Sequence, residues 1–434
     1  MKKIIAAILI MSIIIAGAVM VFMGDDDIMP CFELVWPGQQ AQVEPQTSSS
    51  AVCFGESLGG VEKMPVSLGI PAASYFAGNS ADQTHARSVW DMAYYNGHVY
   101  LGLGDYGCNA ASSLKPNGEK KLPLFAVDVS NDTISVEAEL SEEQLSSFAE
   151  LEGELLLPGL DSSWSNGYSF VSYYKVDGNG NVAENHNIEN RAHCFGVVSY
   201  AGALWAATGT CKNSYGYPVA MSVDGGRNWQ DVEFLGTPKE YGYAYRMYDL
   251  FVMQGELFAM GTARNQQGQE AGVMVYKLQN GAFVYQKRIT FCSGLKSYSG
   301  AGTLFDQKLV YRDKLLLVAN GHLFVIDENL SIKEVGHLAA NAQVTDILEQ
   351  NGRMYVLACQ AHVQTLSSGI SSESPWTTYV YSTDDLESWA EELHFGANGL
   401  ARSFEKVEDS YYFGLGQRYE NLLCSASGEI LKVR

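Results

Sequence analysis

Residues 221–234, MSVDGGRNWQDVEF, predict a β-hairpin that serves as the pattern for the rest of the chain. The preceding stretch, Val219–Val223, alternates like a strand with one buried face. Asp224, Gly225 and Gly226 supply the positive φ angles that a tight turn needs, and Trp229 begins the returning strand. A chain built from such hairpins is expected to be all-β.

Four residues of this hairpin match a known motif. Ser222, Asp224, Gly226 and Trp229 fit S-x-D-x-G-x-x-W, which resembles the Asp-box of sialidases and other bacterial neuraminidase repeat proteins. A short carboxylate can accept backbone N–H groups of its own turn, and the Trp covers the hairpin, so we expect its loss to cost about 3–5 kcal/mol. A degenerate copy consists of Ser382, Asp384 and Trp389, with Leu386 at the glycine position.

The resemblance does not extend to a sialidase active site. Sialidases usually open with an F/Y-R-I-P motif, and the nearest string in this chain is Tyr245–Tyr248, YRMY, which lacks the proline. In the family the boxes are structural, so the resemblance implies a propeller and transfers no catalytic residue.

The same pair of hairpins recurs from Arg87 to the C-terminus, which indicates a repeat architecture. The first hairpin of each unit is predicted to turn at Gly97, Gly153, Gly202, Gly255, Asp313, Gly352 and Asp409. The second is predicted to turn near 131–132, 178–180, 225–226, 280–281, 328–329, 384–385 and 427–428. Units of four short strands at this spacing are typical of a β-propeller. We therefore expect seven four-stranded blades, with six as the alternative, closed by an outer strand from about Met64 to Ile70.

Composition excludes one class of partner. The 434 residues are 47% hydrophobic and 18% charged, with 43 Gly and 25 Tyr, which suits a large β-structure. The formal net charge of −21 opposes binding to a phosphate backbone, so nucleic acid is excluded. No CxxC or HxxxH spacing indicates a metal site, and nothing in the sequence indicates a cofactor.

The N-terminus predicts export. Lys2 and Lys3 precede an uncharged stretch, Ile4–Met23, that is long enough to span a bilayer, and Asp25–Asp27 follow it. The alternative is a signal peptide cleaved at Ala16–Ala18, which would leave a secreted protein. In both cases the rest of the chain lies outside the cytoplasm. We expect a signal-anchor helix over 1–24, a linker and lead-in over 25–80, and the propeller over 81–434.

Export makes disulfides possible among the eight cysteines. Residues that face each other across an antiparallel hairpin have a constant sum of residue numbers. With the turn centred near residue 202, Cys194 and Cys211 are expected to face each other at a distance that a disulfide spans.

Propeller geometry predicts one face for ligand binding. The loops that enter the innermost strands share a face with the loops between the second and third strands of each blade, and the Asp-box turns lie on the opposite face. Arg87, Arg191, Arg246 and Arg402 occupy the entries, together with Tyr245. The other loops of this face contribute Asp105, Lys212, Arg264 and Arg418. Guanidinium groups bind carboxylates bidentately and tyrosines stack on sugar rings, so this face suits an acidic glycan or a carboxylated small molecule. Alternatively, each arginine pairs with an acid of a neighbouring blade.

Two functions remain open. The first is a noncatalytic membrane-anchored module that binds a glycan, a small carboxylated ligand or a partner protein, or acts as a scaffold. The second is a glycoside hydrolase for acidic sugars, which requires paired carboxylates about 5–10 Å apart. Asp105 with Glu240 or Asp91 is the best pair in the sequence. On the innermost strands, Asp91, Asp249 and Asp346 would bind a cation if they face the channel, or accept hydrogen bonds from adjacent blades.

Overall fold

The structure is a computed structural model, and it describes residues 60–76, 81–105, 121–160, 170–189, 191–210, 217–264, 270–289, 306–335, 338–339, 342–361, 375–417 and 423–434. Within these ranges no helix has the length and apolarity required to cross a membrane. The predicted segment 1–24 lies outside the described residues. Part of the predicted lead-in, 60–76, is described.

The described chain is almost entirely β-structure. Helical residues form a 3-10 turn, Pro71–Ser74, and one short helix, α1, at Ala81–Ala86. The strands of the first half are β1 Val61–Glu62, β2 Val66–Gly69, β3 Asp91–Tyr95, β4 His98–Gly102, β5 Leu122–Asp128, β6 Thr133–Leu140, β7 Ala149–Leu151, β8 Glu154–Pro158, β9 Phe170–Val176, β10 Val182–Glu189, β11 Arg191–Tyr200, β12 Ala203–Thr210, β13 Val219–Ser222, β14 Gln230–Asp231 and β15 Phe234–Leu235. Those of the second half are β16 Tyr243–Met253, β17 Glu256–Arg264, β18 Glu270–Gln279, β19 Ala282–Ile289, β20 Gln307–Tyr311, β21 Lys314–Ala319, β22 His322–Ile326, β23 Ile332–Glu334, β24 Gln343–Gln350, β25 Arg353–Ala361, β26 Trp376–Thr383, β27 Ala390–Ala397, β28 Leu400–Val407, β29 Ser410–Gly416 and β30 Ile430–Val433.

Antiparallel meanders arranged as a β-propeller make up the fold. All seven predicted first-hairpin turns are two-residue turns: the strand residues flanking Asn96-Gly97, for example, are paired Tyr95 with His98. Both residues of that turn have positive φ, 51° and 86°, which places the two strands in the twist that such hairpins favour. Innermost strands of successive sheets contact one another, β20 with β24, β24 with β28, and β28 with β3.

The number of separate sheets differs from the prediction of seven. Five are separate blades: β3–β6, β7–β10, β20–β23, β24–β27 extended by β1, and β28–β30 completed by β2. The remaining strands form one nine-stranded sheet, which combines two of the predicted units. Its halves are joined where β12 pairs with β16 through Gly209 and Arg246. Six equal blades are not observed either, because one of the six sheets has nine strands.

The last blade, β28–β30 with β2, combines C-terminal strands with a strand that precedes the first blade in the sequence. Only three of its strands come from the C-terminal unit, because residues 427–428 form a turn ahead of β30 rather than a hairpin into a fourth strand. The outer strand is β2, which pairs antiparallel with β30 and confirms the predicted closure. Just before it, β1 pairs in parallel with β27 at the edge of the neighbouring blade. This segment therefore covers two exposed sheet edges.

The predicted Cys194–Cys211 disulfide is wrong in register. Cys194 pairs with Thr208, because the hairpin is centred between 201 and 202 and two bulges, on either side of Cys194, shift the ladder further. The Cys194 thiol is free and buried, and burial raises its pKa to about 12. Cys211 lies outside the described residues.

The hairpin of residues 222–229 has the hydrogen bonds expected of a turn held by a carboxylate. Asp224 Oδ1 accepts the backbone N–H groups of Arg227 and Asn228 at 3.1 and 2.9 Å, and Ser222 Oγ accepts that of Gly226 at 2.9 Å. Gly226 has a φ of +88°, and a Cβ there would overlap the Tyr173 hydroxyl. Trp229 is only half-buried, with its ring 6.1 Å from that of Tyr173 and Nε1 donating to the Gly226 carbonyl.

The second hairpin of this type uses a different aspartate from the predicted Asp384. Asp385 Oδ1 accepts the backbone N–H groups of Glu387 and Ser388 at 2.8 and 2.7 Å, and Thr383, not Ser382, supplies the hydroxyl of the turn. The turn is one residue shorter than that of residues 222–229, which moves the motif by one position. Ser382 is instead bonded to Arg353 Nη2 at 2.7 Å.

The assignment of the turn to Asp385 instead of Asp384 can be tested by replacing each aspartate in turn. Asp385→Ala should lower the melting temperature because two backbone N–H groups lose their acceptor, whereas Asp384→Ala should leave it unchanged. Bonds to Ser388 and Glu387 hold the pKa of Asp385 at about 2. This contribution is present above the unfolded pKa of about 4 and is lost as pH falls through about 2, so the effect should shrink in acid. Thermal melts of both variants at pH 6 and pH 2.5 measure it; equal melting temperatures at pH 6 would assign the wrong carboxylate.

Burial also distinguishes the two Trp side chains of these hairpins. Trp389 is 6% exposed. Trp389→Ala should lower the free energy of unfolding by about 3–5 kcal/mol, because it leaves a cavity. Trp229 is half-buried, so Trp229→Ala should cost roughly half of that or less, below the value expected from the sequence. Urea unfolding of both variants gives the comparison. A larger loss for Trp229→Ala would contradict the packing described.

Candidate functional site

Carboxylates on the innermost strands bond successive blades together. Asp346 Oδ2 on β24 accepts the backbone N–H of Phe404 on β28 at 2.8 Å. Asp91 Oδ2 on β3 accepts that of Phe148, just before β7, at 2.7 Å. Both side chains are buried, so these acceptors replace water for groups that could not otherwise be solvated. Of the two predicted roles, hydrogen bonding between blades is the one seen for Asp91 and Asp346.

A third carboxylate, which the sequence analysis missed, has the same role. Glu405 Oε2 on β28 accepts the backbone N–H of Tyr94 on β3 at 2.9 Å. Its other oxygen accepts the N–H of Lys406 at 2.9 Å. Asp91 and Asp346 lie six residues before their hairpin turns, whereas Glu405 lies four residues before Asp409, and only its longer side chain reaches the next blade. These three bonds link four consecutive innermost segments across the point where the chain closes.

The third predicted aspartate of the innermost strands, Asp249, is held differently. Its Oδ1 lies 2.9 Å from Lys308 Nζ on β20, and the same ammonium donates to the Tyr248 carbonyl at 2.9 Å. Burial raises the pKa of Asp249, and the lysine opposes that shift. Within the described residues, no group of three or more His, Cys, Asp or Glu side chains is arranged to hold a metal ion.

Two of the predicted arginines lie where β11 and β16 come together. Arg191 is paired with Thr210 on β12, and the adjacent Gly209 is paired with Arg246. Arg191 forms an ion pair with Asp231 and is 3% exposed, so its guanidinium is engaged within its own unit rather than with an acid of a neighbouring blade. The positive charge of Arg246, in contrast, lowers the pKa of His193.

His193 stands at the bulge of β11 in a left-handed conformation, with a φ of 62°. Its Nδ1 donates to the Leu160 carbonyl at 2.8 Å, which fixes the tautomer of the neutral ring. Burial, and then the nearby Arg246, lower the pKa of His193 to about 3. The imidazole is therefore neutral at physiological pH, and its position next to Arg246 was not evident from the sequence.

Aromatic rings surround Arg246 at the start of β16. The Arg246 guanidinium lies 5.3 Å from the centre of the Tyr245 ring, and the Tyr243 ring stands nearly perpendicular to Tyr245 at 6.4 Å. Tyr243 is 54% exposed, and Tyr245 is buried. We call Tyr243, Tyr245 and Arg246 the tyrosine–arginine surface. A cation over a ring with an exposed neighbouring ring can bind a sugar through stacking and a carboxylate through charge.

The other two arginines lie at the junction of the last and first blades. The Arg402 guanidinium stacks on Trp90, 4.0 Å from the ring centre, and Nη1 donates to the Gln417 carbonyl at 2.9 Å. Its Nη2 lies 3.8 Å from Asp306. Arg87 is 7% exposed, and burial lowers its pKa. Arg402 is therefore engaged by contacts within the protein, and Arg87 is buried.

Asp105, one of the acids proposed for catalysis, is buried against a histidine. Its Oδ2 lies 3.1 Å from His85 Nδ1, and both side chains are 1% exposed. Of the two acids proposed as its partner, Asp91 accepts the hydrogen bond from Phe148 described above, and Glu240 lies on the surface before β16.

Of the three remaining predicted site residues, one is described by the structure. Lys212 and Arg418 lie outside the described residues, and Arg264 is the last residue of β17, opposite Tyr243. That pairing places the Arg264 backbone beside the tyrosine–arginine surface, as the loop assignment implied.

Comparisons with known proteins concern the fold. No family model matches the chain, and no curated protein is similar to it in sequence. Among solved structures it is similar to virginiamycin B lyase from Staphylococcus aureus, with 11% identity, a TM-score of 0.47, and coverage of 86% of this chain and 99% of that one. A chain of the mitotic checkpoint complex has 11% identity and a TM-score of 0.46, covering 90% of this chain and 98% of its own. The designed protein Ika8 has 9% identity, a TM-score of 0.40, and coverage of 81% and 96%. Such distant likeness assigns no activity.

The ion pair of Asp249 with Lys308 yields a stability prediction. Lys308→Met should destabilise the protein by about 3–5 kcal/mol at pH 8, because it leaves a buried carboxylate without its cation. The double variant Asp249→Asn with Lys308→Met should recover part of that loss. Lys333→Met, on the exposed side of β23, is the control. Urea unfolding measures all three, and a Lys308→Met protein as stable as the control would show that the pair is not buried as described.

Proposed function

We propose that this chain is a noncatalytic β-propeller that binds acidic glycans or other carboxylated ligands through the tyrosine–arginine surface. The observation that carries the proposal is the exposed Tyr243 ring beside a Tyr245 ring that already has the Arg246 guanidinium over it. An apolar sugar face would stack on Tyr243, and a carboxylate would lie towards the guanidinium.

The charge of the protein makes such a site selective. With a net charge of −21, most of the surface repels an anionic ligand, so a local cation decides where the ligand can bind. A second group of aromatic rings with a cation lies at the outer strand of the same half-sheet. There the Arg288 guanidinium lies 5.4 Å from the centre of the Tyr241 ring, which is 6.5 Å from that of Tyr285.

We favour binding over glycoside hydrolysis because the acids nominated for catalysis have other partners. Asp105 pairs with His85, and Asp91 accepts hydrogen bonds from Phe148, Met92 and Gln307. A retaining or inverting hydrolase needs two carboxylates on either side of the sugar. Release of reducing sugar from an acidic glycan by the purified protein would support the hydrolase instead.

Two further features belong to the proposal. We infer that the nine-stranded sheet represents two radial blades, since its halves each have their own two-residue hairpin and are paired at a single position of β12 and β16. The propeller would then have seven blades.

We also propose that residues 1–24 hold the propeller at the outer side of the cell membrane. Fractionation of cells that express the chain with and without residues 1–24 tests this location.

Titration calorimetry of the purified protein with 3′-sialyllactose, trigalacturonate and neutral lactose tests the binding proposal. At least one acidic sugar should bind more tightly than lactose. Tyr243→Ala should weaken that binding about tenfold, taking as a guide the roughly 1–3 kcal/mol lost when an aromatic ring that stacks on a nucleobase is replaced by Ala. Arg246→Gln should reduce the preference for the acidic sugar.

Tyr94→Ala is the matched control, because Tyr94 is 42% exposed on a different blade. It should leave both affinities unchanged. Equal loss in Tyr94→Ala and Tyr243→Ala, or no binding of any of the acidic sugars, would contradict the proposal.

A further inference from the structure

We propose that Asp91, Asp346 and Glu405 form a proton-responsive clamp at the junction where the propeller closes, so that mild acid tightens the junction and neutral to alkaline pH loosens it. The clamp is defined by these three carboxylates and by the N–H groups that they accept from the next blade. This inference is independent of the ligand proposed above.

The clamp lies between the innermost strands of consecutive blades, including the last and the first. Asp346 bonds β24 to β28, Glu405 bonds β28 to β3, and Asp91 bonds β3 to the start of the next blade. The middle bond joins the C-terminal blade to the first blade. Ser403 Oγ, which donates to the Val89 carbonyl at 2.9 Å, is a second side-chain bond across this junction. Weakening of the carboxylate bonds would therefore act where the last blade is joined to the first.

The three carboxylates are buried without a compensating cation. Within the described residues no Lys or Arg pairs with any of them, and β20 presents the neutral amide of Gln307 to Asp91 at 3.1 Å. The cations on the neighbouring strands are engaged elsewhere. Lys308 pairs with Asp249, Lys406 Nζ donates to the Glu408 carbonyl, Arg402 stacks on Trp90, and Arg353 bonds to Ser382. Buried like charges without a cation bind protons at neutral pH.

A thiol beside this junction does not change charge near neutrality. The Cys359 thiol on β25 lies 3.4 Å from the Ala401 carbonyl, and burial raises its pKa to about 12. The segment before β7 carries two further buried acids, Glu142 and Glu143. The part of the pH response that belongs to the clamp is therefore measured with variants of its own carboxylates.

The direction of the response follows from burial. Burial raises the pKa of Asp91 and of Glu405 to about 7, and it raises that of Asp346, which the charges of Asp91 and Glu405 raise further. Raised pKa values mean that the folded protein holds protons which the unfolded chain, with carboxyl pKa values near 4, has released. The stabilisation is complete below about pH 4 and is lost as pH rises through about 7.

The experiment compares the full-length protein with Glu405→Gln from pH 5 to 8.5. For the wild-type protein the melting temperature should fall by several degrees over this range. Hydrogen exchange of the amides of Tyr94, Phe148 and Phe404 should lose about tenfold or more of its protection, after correction for the intrinsic pH dependence. Glu405→Gln should make both dependences less steep than in the wild-type protein, because one of the three side chains can no longer lose a proton.

Glu408→Gln is the matched control, since it removes the same charge from an exposed position at the end of the same strand. It should keep the wild-type slope. If Glu405→Gln does not fold, Asp91→Asn replaces it with the same expectation. A wild-type melting temperature that is constant or rises from pH 5 to 8.5 would overturn the proposal, as would a wild-type slope in the folded Glu405→Gln or Asp91→Asn protein.

Discussion

Hydrogen bonding between successive innermost strands is the constraint on which this structure depends. In a propeller each blade is a small twisted sheet, and its innermost strand has few partners beyond its own hairpin. Here carboxylates of Asp346, Glu405 and Asp91 accept N–H groups of the following blade, so that backbone polar groups at the centre are satisfied without a continuous ladder. The outer strands are held separately, by β2 and by the short parallel strands β1 and β15.

Several charged residues of the predicted ligand face are engaged within the protein. Arg191 pairs with Asp231, Asp105 with His85, and Arg402 stacks on Trp90. At the start of β16 the local sequence is instead a run of tyrosines ahead of Arg246, and Tyr243 remains exposed. The proposed ligand site is therefore placed at this exposed ring.

Much of the fold could be predicted because turn chemistry is local. A two-residue hairpin requires positive φ angles, and the glycines at 97, 153, 202, 255 and 352 mark it in the sequence. Register is less local. The bulges around Cys194 place His193 in a left-handed conformation that its residue type does not predict. The same bulges shift the register of the hairpin, so the predicted disulfide between Cys194 and Cys211 was wrong. Likewise, Asp385 replaces Asp384 through a one-residue difference in turn length, and Glu405 reaches its partner from an unexpected position because its side chain is longer.

The central claim is that side-chain carboxylates, rather than packing alone, hold the innermost strands together at the point of closure. Native-state hydrogen exchange at a single pH near 6 tests it most directly, through the amides of Phe404, Tyr94 and Phe148. Although no backbone carbonyl accepts these N–H groups across the junction, they should exchange as slowly as amides inside the hairpin of β28 and β29. Exchange of all three at rates typical of unbonded surface amides would contradict the account.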